Sequence, residues 1–242
     1  EKTMNYTVAK NTLNLPVIPL RGLVALPGVV LQFDVGRDKS VKAVDAVMQK
    51  NQLVFLTAQT EVYIDDPSMD ELYRVGTVAR IKQVLKMPGD AVRVLVVGEC
   101  RAKVTEVQQT DPYLCARVES IPDAEYVKGT PKVEALVRQA AQLFDEFADL
   151  TQRPVQETML KILASDDPGY IADLMSQSAT YGFAEKMRVL EQRHPVRRLE
   201  ISNKLFAHEL EVLRMENQLQ DQTQQNIDKG QRDYFLREQM KV

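Results

Sequence analysis

One feature limits the fold of this chain more than any other: its hydrophobic period changes near Ile121. Before that point apolar residues alternate or run in short blocks, as strands require. After it they recur every three to four residues, as helices require. Between the halves, Pro122 to Pro131 holds turn formers and charges. A single change of period across such a segment predicts an α+β protein with a strand-built lobe followed by a helix-built one. At 242 residues the chain is long enough for both. The expected partition is a β-rich lobe over 1–122, a helical bundle over 123–198 and a long helix over 199–242.

In the first half, Val29, Leu31, Phe33 and Val35 alternate with Val30, Gln32 and Asp34, the pattern of a half-buried strand. Leu13 to Leu20 is apolar but contains Pro16 and Pro19, which reads as an edge or interrupted strand. One helix interrupts the series, with Asp38 as its cap and Val41, Val44, Val47 and Met48 on one face. Leu53 to Ala58 follows as a buried strand. Gly76 to Met87 and Ala91 to Gly98 flank the turn Pro88-Gly89-Asp90, and Cys100 to Val107 and Leu114 to Ile121 complete the set. Short strands at this spacing predict a barrel or sandwich carrying one helix.

In the second half, Val133, Leu136, Val137, Ala140, Ala141, Phe144 and Ala148 trace one helical face. Pro154, Pro168 and Pro195 each stand where a first helical turn begins, and Asp167 is a good cap for the helix at Pro168. Helices near 154–164, 168–180 and 183–193 are expected. From Leu199 onward the chain has no proline and one glycine, Gly230. Leu205, Phe206, Leu210, Val212, Leu213 and Leu219 give this helix an apolar stripe, which then yields to glutamines around Ile227. A polar helix of that length bridges domains or pairs with another helix. Tyr234, Phe235, Leu236 and Met240 restore apolar character near the end, as in an interrupted helix.

Charge and chemistry narrow the function. The net charge is −3, which disfavours nucleic acid as the main partner. The apolar runs fall far short of the ~20 residues that span a bilayer, and no charged-then-apolar leader opens the chain, so a cytoplasmic protein is expected. Cys100 and Cys115 read as ordinary strand residues. No glycine falls in a G-x-x-x-x-G-K-[ST] loop, no G-x-S-x-G elbow exists, and His208-Glu209 lacks the second histidine of H-E-x-x-H. No catalytic or metal-ligating residue is therefore assigned. Asp65-Asp66 and Asp166-Asp167 fit turns and caps, and Arg188, Arg193, Arg197 and Arg198 fit a solvated or subunit-facing surface, with an anion or nucleic-acid patch as the sharper reading.

Two apolar features carry a binding reading beside a structural one. Leu23, Val24, Leu26 and Pro27 lie between Gly22 and Gly28, and either pack inward or form an exposed patch for other proteins. Met87 and Pro88 at the hairpin tip form the second candidate. Each such side chain contributes at most ~1.5–3 kcal/mol, so one copy binds an unfolded segment weakly and several copies bind it usefully.

Leu15-Pro16-Val17-Ile18-Pro19-Leu20-Arg21 followed by Leu26-Pro27, then Asp34-Val35-Gly36-Arg37-Asp38-Lys39-Ser40, resembles the start of the bacterial Lon proteases. The similarity continues in order through Val75 to Ala79, Lys86-Met87-Pro88, Val94 to Val96, Asp166-Asp167-Pro168, Ala172-Asp173, Lys186, Val189 to Glu191 and Gln231 to Lys241. The resemblance implies a PUA-like β lobe, a helical lobe and a long helix leading to an absent ATPase domain. It also implies a fragment that binds unfolded or damaged proteins and assembles as a homo-oligomer, a hexamer in the parent. The parent's ATP, Mg and Ser-Lys dyad have no counterpart among these residues. A standalone protein-binding module built from the same domain is the alternative, with a nucleic-acid binder behind it.

Overall fold

A computed structural model describes residues 12–151 and 155–239. The first half forms β1 (Thr12–Leu20), β2 (Val30–Val35), α1 (Asp38–Met48), β3 (Leu53–Ala58), β4 (Val75–Lys86), β5 (Val92–Gln109) and β6 (Cys115–Ser120). The second half forms α2 (Pro131–Thr151), α3 (Gln156–Leu163), α4 (Pro168–Ser178), α5 (Phe183–Glu191) and α6 (Pro195–Gln239). The α+β class follows the change of period, which falls between Ser120 and Pro131.

The strand order is β2-β5-β4-β3-β1-β6, and β5 also pairs with β6. Five strands thus close into a barrel, and β2 hangs outside it on the first half of β5. Closure depends on β5, which the sequence pattern divides at Gly98-Glu99 but which runs unbroken for 18 residues. Val78 faces Cys100 while Ala79 faces Gly98, so Glu99 is an extra residue in the ladder. Such a bulge bends its strand and increases the local twist. One strand can then serve β2 at its start and β6 at its end.

β1 is not an edge, despite its prolines. Thr12 to Pro16 pairs antiparallel with β6, and Val17 to Leu20 pairs parallel with β3. Successive backbone groups point to opposite sides of a strand. The Val17 N–H reaches Leu114 on the β6 side, and the Gln59 N–H reaches the Leu20 carbonyl on the β3 side. Pro16 therefore points toward β3 before that ladder starts, and Pro19 points away from β3. Each proline falls where a missing N–H costs no ladder bond.

α1 lays Ala43, Val44 and Val47 over Ile18, Leu20, Leu56, Ile81 and Val94. Its first residue is Asp38, preceded by Arg37 at the cap, so Asp38 acts by charge in the first turn and by its 2.6 Å ion pair with Lys42 rather than by capping. Asp167 does cap α4, accepting from the N–H groups of Gly169 and Tyr170. The helical core is built on Phe144, Phe147 and Phe206, whose ring centroids lie 5.4–6.0 Å apart. Tyr181 joins them edge-on to Phe206 and donates its buried hydroxyl to Ser176 at 2.6 Å. α6 begins at Pro195, spans 45 residues and passes through Gly230 without a break. At 1.5 Å per residue it is about 68 Å long. Pro154 and Met240 lie outside the described residues, as do the side chains of Tyr234, Phe235 and Leu236.

Among the described residues, an apolar cluster and a buried ion network are prominent where the lobes meet. Val24, Leu26 and Ala58 pack on Met187 and Leu190 of α5. Beside them, Arg101 of β5 donates to both carboxylate oxygens of Asp173 in α4, at 2.9 and 2.5 Å, and its Nε donates to the Leu190 carbonyl at 2.8 Å. Arg198 of α6 reaches the same carboxylate, with Nε 3.7 Å from Oδ1, and donates to both oxygens of Asp123 at 3.1 and 2.6 Å. Arg101, Asp173 and Arg198 are all buried. This corrects the reading of Arg198 as part of a surface cluster; Arg188, Arg193 and Arg197 remain exposed.

Asp173→Ala leaves two buried guanidiniums short of a counter-charge and should lower unfolding free energy by roughly 3–5 kcal/mol in urea titrations, whereas the double variant Arg101→Met with Asp173→Leu should recover most of that loss. Leu26→Ala, which opens the apolar junction, should cost about 2–5 kcal/mol in the same measurement.

Candidate functional site

The segment from Arg21 to Val29, marked in the sequence as a candidate patch, is a strap between the lobes. The Ala25 carbonyl accepts from Thr77 Oγ1 at 2.7 Å, and the Leu26 N–H donates to Gln177 Oε1 of α4 at 3.2 Å. At its end the Gly28 N–H donates to the Gly98 carbonyl (2.9 Å) while the Gly98 N–H donates to the Val29 carbonyl (3.0 Å). With Gly28 at φ +74°, this is a β-bulge of the type that needs glycine in the left-handed region. Gly98 is required by proximity, since a Cβ there would lie 2.4 Å from the Leu26 carbonyl oxygen.

The strap separates the candidates by burial. Val24 and Leu26 are 2% and 1% exposed, so they are mortar between the lobes and not part of an open patch. Their burial follows from the hydrogen bonds on either side, which press the strap onto α5. Pro27 is half-buried and lines a cleft between the lobes. Leu23 is half-buried at the opposite end and packs against the β-lobe core. Met87 is half-buried and Pro88 exposed at the β4–β5 turn. That turn lies beyond the far end of β2, where Val35 faces Val92.

Leu23 opens onto a groove of about 450 Å³ between the end of β1 and the outer side of β2. Ile18, Leu20, Leu23, Phe33 and Val35 give it apolar walls, and Arg21, Asp34, Arg37 and Asp65 edge it. Three of these four charges lie in ion pairs. Arg21 donates to Asp65 at 2.8 Å, and Arg93 holds both oxygens of Asp34 at 2.6 and 2.9 Å. Arg37 donates to the Pro19 carbonyl at 3.2 Å and to Gln59 Oε1. Burial, with Arg21 nearby, pulls the Arg37 guanidinium below its ordinary pKa. The result is an apolar slot whose rim charges are paired except at Arg37, which is held by neutral oxygens.

Nothing around this slot assembles a nucleophile with a base, and among the described residues no group of three or more His, Cys, Asp or Glu side chains is placed to hold a metal ion. Cys100 and Cys115 are free, and burial pushes both thiols above their usual pKa. Asp65 and Asp66 pair with Arg21 and Lys39, anchoring the loop beside the groove. Sequence reasoning missed Phe33 as a groove residue and the Arg101–Asp173–Arg198 network. The one local signal for the network was an aspartate flanked on both sides by buried apolar residues of α4. No helix among the described residues is long and apolar enough to cross a membrane.

The fold and the sequence both have known relatives. The Lon protease of Desulforamulus reducens is 37% identical over 224 residues, which is 93% of this chain and 27% of that protein. The Lon protease of Clostridioides difficile is 35% identical over 241 residues, 98% of this chain and 30% of that protein. The chain therefore spans under a third of the length of these relatives. The N-terminal domain of the Mycobacterium avium complex Lon protease superposes with a TM-score of 0.64 at 22% identity, covering 81% of this chain and 98% of that one. A family model described as the ATP-dependent protease La (LON) substrate-binding domain matches residues 14–208. From the closed strand barrel to the first turns of α6, the chain belongs to the LON substrate-binding domain family.

Proposed function

We propose that this chain is the substrate-recognition and assembly region of an ATP-dependent Lon-type protease, and that the groove between β1 and β2 receives unfolded or damaged protein. The observation that carries this reading is the apolar slot at Leu23 and Phe33, set within a domain whose family is described by substrate binding. Such a surface attracts apolar side chains of many different sequences, as a binder of unfolded protein requires. Chemistry, with its ATP and Mg, belongs to parts of the parent outside this chain. A cytoplasmic location accords with this role.

Self-association is the second half of the proposal. Beyond the helical core, α6 exposes Val212, Met215 and Leu219, spaced three and four residues apart. That spacing is the seam of a coiled coil, which here would pair α6 with the same helix of another copy. The parent would then present several grooves at once in a hexamer, and weak single-site binding would add through effective concentration.

Two measurements test these roles. Leu23→Ser should weaken binding of reduced, carboxymethylated α-lactalbumin about tenfold by fluorescence anisotropy with an unchanged circular dichroism spectrum; unchanged affinity would remove the groove from substrate binding. Met215→Glu combined with Leu219→Glu should convert any self-associated species to monomer in sedimentation velocity, and an unaltered distribution would exclude the α6 seam.

A further inference from the structure

We propose that the outer edge of β2 receives an extended polypeptide as an added strand, so that substrate is held by its backbone as well as by its side chains. The inference rests on the substrate-binding reading of the groove and names how that site works. Among the described residues, β2 stands at the end of the strand order and pairs only with β5. The Gly28–Gly98–Val29 bulge sets the phase of that ladder. Hydrogen-bonded and non-hydrogen-bonded pairs alternate between antiparallel strands, so Leu31, Phe33 and Val35 exchange bonds with β5. The N–H and C=O groups of Val30, Gln32 and Asp34 then point away from it, and no described residue meets them. A row of unmet donors and acceptors along a sheet edge is a template for another strand.

Hydrogen-bond complementarity selects the occupant. Arg21 and Asp34 on the groove are paired with Asp65 and Arg93, and Arg37 directs its N–H groups to the Pro19 carbonyl and Gln59 Oε1, so none of them meets the outward edge of β2. What lacks a partner is an alternating series of neutral donors and acceptors, and another backbone supplies their complement. The facing wall cannot compete for that strand: Pro19 has no N–H, and its carbonyl is taken by Arg37. A strand seated on β2 turns every second side chain toward Leu23 and Phe33. The fitting partner is a disordered segment with apolar residues at alternate positions and no proline. A folded protein, its backbone already paired, does not fit.

Amide hydrogen exchange of the 15N-labelled chain, followed by NMR with and without saturating reduced, carboxymethylated α-lactalbumin, tests this directly. Exchange at Val30, Gln32 and Asp34 should slow about tenfold or more when the probe binds, while Leu31 and Phe33, already bonded to β5, change little. Gln32→Pro removes one outward N–H and leaves the β5 ladder intact, and should weaken the same probe about tenfold. Binding without slowed exchange at the three amides overturns the edge proposal and leaves the groove reading standing. Absence of binding to the unaltered protein overturns the groove reading, and the edge proposal with it.

Discussion

The rest of the molecule depends on one carboxylate. Asp173, buried in α4, accepts two hydrogen bonds from Arg101 of the barrel and lies 3.7 Å from Nε of Arg198 in the long helix. Three segments far apart in sequence meet at that point: the strand that closes the barrel, the central helix of the second lobe and the helix that leads away. Charge taken out of water at this scale is tolerated only when each group is closely paired, so the network permits one seating of the lobes and penalises others heavily. Geometry more than stabilisation is its contribution, since an apolar triad of equal volume would hold the lobes at similar strength.

That seating decides what the strap between Arg21 and Val29 can do. Pressed between Thr77 and Gln177, it hides Val24 and Leu26 against α5 and leaves Leu23 at the groove. The bulge at Gly28 then turns the chain into β2 with its inner face toward the barrel core and its outer edge unpaired. The groove and the lobe junction are two ends of one short segment. A change that loosens the junction is thus expected to disturb the groove without touching its lining.

Much of the architecture was legible in local pattern. The change of period, the hairpin at Pro88-Gly89-Asp90, the cap at Asp167 and the phenylalanine face of α2 all depend on neighbours within a few residues, and the structure keeps them. The failures share a different cause. β1 reads as an edge or interrupted strand because two prolines forbid central ladders; it is no edge, but it changes partners midway, and both prolines fall on vacant sides. β5 reads as two strands because Gly98-Glu99 mimics a turn, where the chain in fact bulges. Arg198 reads as surface because nothing within its own helix shows the aspartate opposite. Of the candidate patch, Leu23 reached the groove while Val24 and Leu26 did not, because the face a side chain takes in an irregular strap is set by hydrogen bonds from residues more than fifty positions away.

Residue order alone was enough for the two-lobe α+β plan, for the helix-rich second half, and for the Lon resemblance that the relatives bear out. These rest on periodicity, turn chemistry and ordered motifs, which are properties of the chain read in one dimension. Barrel closure, the free edge of β2, the buried ion network and the separation of Leu23 from Val24 and Leu26 belong to the folded molecule. Each arises where segments distant in sequence share a surface, and burial and pairing there are settled by partners that local pattern cannot reveal.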